Sequence, residues 1–435
     1  DVDNWAETTT ITKNINVENT KDNNGNTNEN GAGLVNGSND GSATGSDDGE
    51  KSDNSDTVVV ELQVAQINDK KYSSISQAID AAVEGDTIII LDNMNLTDEV
   101  NIGPNKNINL KLNGKTITST SINSINNNGT LTISGPGVIK NDSANGTVIY
   151  NTGMVNIENE AVITTSKNGG KGISSSVNGY VNGNSAGNQD GKSGILNMKS
   201  GKIVTEGIGS IGIYNIKGAV ATVEGGIVET RGSGSKGIYN DSKLNIGKSD
   251  NNATTSEAGN SKVKIIVSDD DSIGIYNAKN AETCVIKGAE ITVQAENIEN
   301  YELIKNTNEF KAKLEAKKPS YGIYNDSKTD VTIETAVIKV ERLKGVGIKN
   351  NFTGSITLGK EDNTINIAVP IIYAIADNTT AIENSEKGQI CFYDGKIISI
   401  SSVKDLFTKL LQNSEVVEEK GSSNVVSYLK KVVIE

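Results

Sequence analysis

One phrase returns along this chain, and its spacing limits what the chain can fold into. Gly-Ile-Tyr-Asn stands at 212–215, 237–240, 274–277 and 322–325. Variants of it stand at Ser124-Ile125-Asn126-Asn127, Val148-Ile149-Tyr150-Asn151, Gly172-Ile173-Ser174-Ser175, Gly347-Ile348-Lys349-Asn350 and Ala381-Ile382-Glu383-Asn384, and Ile102 is expected to open the series. With the third position as marker, the intervals from Asn126 to Glu383 are 24, 24, 40, 25, 37, 48, 25 and 34 residues. Four are 24 or 25, and the others are that unit plus a polar insertion, at 177–193, 248–262, 296–320 and around 360–366.

A fixed period of this size marks a stacked repeat architecture. Between phrases the apolar residues alternate with period two, which selects strands over helices. A unit of 24 residues holds three strands of about five residues and three short turns. That is one coil of a parallel β-helix. Leu131 and Ile133, Val155 and Ile157, Val220 or Ala221 with Val223, and Val285 or Ile286 are the expected inward residues. One coil cannot bury its own face, so stability comes from the stack. Ile213, Ile238, Ile275 and Ile323 are expected to point inward in one column. The adjacent Tyr214, Tyr239, Tyr276 and Tyr324 then point outward and form a candidate carbohydrate face. The closing Asn of each phrase, from Asn127 to Asn384, is expected at a turn. Its amide can bond along the stack, and Asn tolerates a left-handed backbone.

Composition removes several functions. The chain has no His, so imidazole is absent from any acid–base pair or zinc site. Net charge is -14 and Arg occurs only at 231 and 342, which argues against a nucleic-acid surface. No run reaches 18 apolar residues, so no membrane insertion is expected. The chain opens at Asp1 without Met, which reads as a processed chain. The triple acidic run Asp269-Asp270-Asp271 has Gly and Ser at the equivalent places of neighbouring coils. With no second acidic row, the carboxylate pair of a glycoside hydrolase cannot be assembled. The run is expected as a solvated turn, Arg231 and Arg342 as separate, and the chain as no enzyme. Cys284 and Cys391 each lie eight residues after their markers, so they are expected in similar places three coils apart, as free thiols.

Residues 1–56 are a different material. They hold twelve acidic residues and three Lys, which is -9 of the -14. Residues 19–56 are mostly Asn, Gly, Asp, Ser and Thr, a composition of low order. The oxygen ligands of residues 40–56 suit calcium in type, though the spacing is not that of an EF-hand, and no other cofactor is expected. Before them, Ile11, Ile15 and Val17 belong to an alternating strand pattern that follows the lone Trp5. These four are the candidate assembly residues of an N-terminal arm.

The body, 57–402, is expected to begin with a strand at 58–64. A capping helix follows at 74–84, opened by the capping box Ser74-Ile75-Ser76-Gln77 and stopped by Gly85. In 403–435, Val403, Leu406, Phe407, Leu410 and Leu411 have helical spacing behind Ser402 and predict a second capping helix, followed by final strands.

The run Tyr72-Ser-Ser-Ile-Ser-Gln-Ala-Ile-Asp-Ala-Ala-Val-Glu-Gly-Asp-Thr-Ile-Ile-Ile-Leu91 resembles the helix-then-strand entry of right-handed parallel β-helix proteins, the architecture of pectate lyases and of many bacterial surface proteins. The resemblance covers about 72–402. The Gly-Ile-Tyr-Asn repeats, Gly395-Lys396-Ile397-Ile398-Ser399 and the closing phrase Phe392-Tyr393-Asp394-Gly395 are similar to repeats of secreted surface proteins of Gram-positive anaerobes. The expectation is an all-β, right-handed solenoid of about eleven coils, extracellular on a bacterial surface. Its expected function is structural: self-assembly head to tail into a filament or layer by strand donation from the arm. The competing expectation is a carbohydrate-binding adhesin or polysaccharide-processing protein.

Overall fold

The computed structural model describes residues 62–177, 193–248, 263–361 and 369–431, with one further strand pair, Tyr180–Val181 against Asn184–Ser185. Two compact units divide at Val59 and Val60, and the first lies outside the described residues.

The second unit is a parallel β-solenoid. Each coil contributes one strand to each of three faces. A representative coil runs Thr130–Ser134, Gly137–Asn141 and Thr147–Asn151, and the next runs Met154–Glu158, Ala161–Thr165 and Lys171–Ser175. Each strand pairs in parallel with its equivalent one coil on. The third face is a continuous sheet of ten strands, from Val100–Ile102 to Thr380–Asn384. Strands Thr283–Val293 and Val331–Val340 each span the first and second faces, and the pairing between them shifts register near Lys287.

The sequence register holds along the third face. Asn126, Tyr150, Ser174, Tyr214, Tyr239, Tyr276, Tyr324, Lys349 and Glu383 are successive Cα partners. The series opens one residue earlier than expected, because Asn101, not Ile102, pairs with Asn126. Ile213, Ile238, Ile275 and Ile323 are all fully buried in one column. Ala221, Val223 and Ile286 are the inward members of their strands. Before each of these isoleucines stands a glycine that no other residue replaces cheaply. A Cβ on Gly237 would lie 2.7 Å from the Gly274 carbonyl oxygen and 3.3 Å from Ile265 Cγ2.

The closing asparagines are hydrogen-bonded along the stack and, apart from the half-buried Asn384, buried, but they are not left-handed. Positive φ falls at another turn of the coil, at Asn145, Gly169, Gly209, Gly234, Asp271, Lys344 and Asn378. Those residues enter the third face, and the tight corner there needs the left-handed step.

At the N-terminal end the helix is shorter than the expected 74–84. Helix Ile75–Ala81 starts at Ser74, whose hydroxyl accepts the Gln77 amide at 3.1 Å. Ile75, Ala78, Ile79 and Ala82 are buried, while Val83 is exposed. Most of the strand expected at 58–64 lies outside the described residues, and the first described strand is Ala65–Ile67.

The expected C-terminal helix is not formed. One 3-10 turn, Lys404–Leu406, is followed by Lys409–Leu410, which pairs with Gln389–Phe392. Phe407 stacks on Phe392 with ring centroids 4.6 Å apart, a contact that pulls the segment into the end of the stack. The open strand edge competes with helix formation and wins locally. The final strands are Ser414–Lys420 and Val425–Lys431, an antiparallel pair laid on Lys396–Ser399.

Candidate functional site

The third face carries the features that the sequence reading singled out. Its inward side holds a side-chain amide ladder. Asn127 Nδ2 donates to Asn151 Oδ1 at 2.9 Å, and Asn151 Nδ2 to Ser175 Oγ at 3.2 Å. The ladder resumes at Asn215 and runs through Asn240, Asn277, Asn325 and Asn350 to Asn384, each link 2.9–3.0 Å. Most of these amides also donate to a backbone carbonyl, as Asn240 does to Thr283 at 2.9 Å. Buried amides in one register fix the coil spacing, because any slip would leave each of them unpaired.

The outward side brings Tyr214, Tyr239, Tyr276 and Tyr324 together in one column. Ring centroids are 5.0, 5.2 and 5.6 Å apart, with planes tilted by 56°, 38° and 35°. Strand spacing of about 4.8 Å is less than a ring's width, so the rings cannot lie side by side flat on the sheet. They tilt onto one another, and the Tyr276 hydroxyl donates to Asp326 Oδ2 at 3.0 Å. Tyr321 meets Tyr324 edge-on at 5.0 Å. Lys171 reaches over Tyr214 and Lys236 over Tyr276. Burial lowers both ammonium pKa values below the usual Lys range. Burial and the hydrogen bond from Tyr276 to Asp326 push the Tyr276 phenol well above its ordinary range, and burial pushes Tyr321 to about 12. The column ends in the ion pair Lys349–Glu383, at 2.8 Å.

Sequence reasoning missed Lys171, Lys236 and Tyr321 as neighbours of this column. Their signal was the position two before each Ile, where Lys171, Lys236 and Tyr321 share one register. Trp5, Ile11, Ile15 and Val17 lie outside the described residues, as does the whole acidic stretch considered for calcium.

The acidic run at 269–271 is a turn with Asp269 and Asp271 partly exposed, but Asp270 is drawn into an ion-pair cluster. Arg342, almost fully buried, meets Asp270 at 2.5 Å and Glu296 at 2.9 Å, and donates to the Ser268 carbonyl at 2.9 Å. Lys317 joins the cluster through Glu296. The partners are 72 and 46 positions from Arg342 in sequence, and folding of the intervening coils brings them together. Buried charges persist where they are paired. The cluster ties down the insertion that carries helices Tyr301–Ile304 and Asn308–Ala316. A cleft of about 200 Å³ opens beside it, lined in part by Glu296, Tyr301, Leu343 and Asp377. Arg231 stands apart, paired with Glu206 and Glu229 at 2.6 Å each.

Cys284 and Cys391 are both free and buried. They differ by one strand position, since Cys284 falls in the column of Ile390 and not of Cys391. Among the described residues no group of three or more acidic or Cys side chains is placed to hold a metal ion. No described helix is long and apolar enough to cross a membrane. No family model, curated protein or solved structure matches the chain.

Proposed function

We propose that this chain is an extracellular structural protein of a bacterial surface, a right-handed parallel β-helix of about eleven coils that assembles head to tail. Residues of the N-terminal arm, with Trp5, Ile11, Ile15 and Val17, add a strand to the next copy. One observation carries the reading: the two ends of the solenoid differ. A helix, Ile75–Ala81, lies at the first, whereas a 3-10 turn, Lys404–Leu406, and an antiparallel strand pair, Ser414–Lys420 with Val425–Lys431, lie at the last. Two unlike ends give a heterologous contact, and such a contact propagates into an open filament. The extracellular setting rests on the resemblance of the repeats. Negative-stain images and sedimentation of the full chain test the reading against a chain lacking residues 1–17. Filaments or large particles that vanish on deletion support it, and a parent that stays monomeric at every concentration overturns it.

A second reading is polysaccharide binding along Tyr214, Tyr239, Tyr276 and Tyr324. The continuous row of half-buried tyrosine rings beside Lys171 and Lys236 favours it, because it presents an aromatic surface at a regular spacing. Retention of a monomer on a polysaccharide column, lost in Tyr239→Ala, would favour it over assembly. Neither reading involves bond cleavage. Release of reducing or unsaturated sugar ends, abolished in Asp270→Asn, would show an enzyme instead.

A further inference from the structure

We propose that the two ends of the solenoid join edge to edge: Lys70–Tyr72 of one copy pairs in parallel with Ser414–Lys420 of the next, with Lys71 beside Glu419 and Lys70 beside Glu418. The proposal rests on the head-to-tail reading and adds to it a contact between the bodies. Both strands lie in the second compact unit. Among the described residues, Lys70–Tyr72 pairs with Ala65–Ile67 alone, and Ser414–Lys420 with Val425–Lys431 alone. Each therefore ends its sheet with one row of backbone groups unpaired, and such an edge accepts a further strand.

The strand directions agree. Lys70–Tyr72 is antiparallel to Ala65–Ile67, which is antiparallel to Thr87–Ile90, so it runs as the coils run. Ser414–Lys420 is antiparallel to Val425–Lys431, which is antiparallel to Lys396–Ser399, so it runs the same way. Two copies stacked on one axis in the same sense thus present parallel edges, as each coil does to the next. The first edge continues the face of Thr130–Ser134, and the last edge that of Gly137–Asn141. Each copy is therefore turned about the axis by one face relative to its neighbour. A heterologous contact that repeats with a turn builds an open helical filament.

Charge selects this pairing over the others. Lys70 and Lys71 are exposed and have no ion pair among the described residues, and Lys70 lies over the Tyr72 ring. At the other end, Glu415 faces Lys430 across the hairpin, whereas Glu418 and Glu419 face Ser427 and Val426. Ser402 and Ser427 donate to Glu418, and Tyr428 donates to Glu419, but among the described residues neither carboxylate meets a cation. Tyr72 and Val416 pack inward, so Lys71 and Glu419 point out of the sheet, and Lys70 and Glu418 share the inner side. Two Lys give the first edge +2, and three Glu with one Lys give the last edge -2. Opposite charges on paired strands attract and like charges repel. Charges on an edge guard it against unwanted pairing, and opposite signs at the two ends leave only unlike ends free to meet.

The test is charge reversal in the full chain, read by sedimentation velocity and negative-stain images. Lys71→Glu and Glu419→Lys each set like charges across the contact. Each alone is expected to raise the protein concentration needed for assembly about tenfold or more. Both reversals in one chain restore opposite signs, and this double variant is expected to assemble as the parent does. A variant that fails by misfolding cannot be restored by a reversal at the far end of the molecule, so the rescue separates contact from folding. If both single variants assemble like the parent, or the double variant does not recover, this contact is wrong while the head-to-tail reading stands. If the parent is monomeric at every concentration, or stops at closed dimers, both fall.

Discussion

Ser175 stands directly below Asn215 in the third-face register, yet its hydroxyl does not reach the amide above it. Asn151 donates to Ser175 at 3.2 Å, and Asn215 Oδ1 is left buried without a donor. The amide ladder is thus two ladders, broken where one closing residue is a Ser.

Ser175→Asn should join them. The new Nδ2 would fall where every neighbouring rung already has one, and would satisfy Asn215 Oδ1. A buried unsatisfied acceptor costs about 1–3 kcal/mol, so the variant is expected to gain roughly 1 kcal/mol after side-chain ordering. Denaturant unfolding with an unchanged m-value checks this, and a loss of stability would show that the coil cannot accept the larger side chain there.

Gly237→Ala should be costly although it adds one methyl group. The new Cβ would lie 2.7 Å from a backbone oxygen of the next coil, which cannot move without lifting the strand. Overpacking of this kind costs about 1–3 kcal/mol. The same change at Gly209, where a Cβ meets nothing within 4 Å but φ is +65°, should cost about 1 kcal/mol from backbone strain alone. Melting the two variants side by side separates close approach from conformation.

Arg342→Ala should release the insertion before it unfolds the solenoid. It leaves Asp270 and Glu296 without their guanidinium, and breaking a buried pair from one side costs about 3–5 kcal/mol. Limited proteolysis between Tyr301 and Lys318 should speed up strongly. Arg342→Met, combined with Asp270→Asn and Glu296→Gln, should recover much of the loss.

Acid should loosen the C-terminal hairpin early. Burial alone would raise the Glu418 carboxyl, but hydrogen bonds from Ser402, Ser427 and the Val403 and Lys404 amides outweigh it and hold the pKa below the usual range. A depressed folded pKa gives stability that is present above the unfolded value and lost as pH falls through the folded one. Amide exchange in Val425–Lys431 should therefore accelerate below the ordinary Glu range, and Glu418→Gln should flatten that dependence.

Alkali should reveal the tyrosine column. Burial raises Tyr321 to about 12 and lifts Tyr276 and Tyr324 as well. Because their folded values are raised, their contribution is intact below the free phenol's pKa and is lost as pH rises through the folded values. Phenolate absorbance should appear later for the folded chain than for the denatured one, and Tyr276→Phe should shrink the delayed part.

The sequence alone determined the coil. A phrase with Ile inward and Asn at its end, repeated every 24 or 25 residues, leaves one way to bury the Ile column, and the observed register follows it from Asn126 to Glu383. Period-two patterning acts within a strand, and the repeat acts between coils, so both are visible in one dimension. What lies between different parts of the coil was not visible. The pairing of Arg342 with Asp270 depends on which turns share a corner, and the left-handed step sits at that corner and not at the Asn. The C-terminal segment shows the limit most plainly. Leu406, Phe407 and Leu410 have helical spacing, but an exposed strand edge and the Phe392 ring were there to meet them, and tertiary contacts outweighed a helix of marginal length.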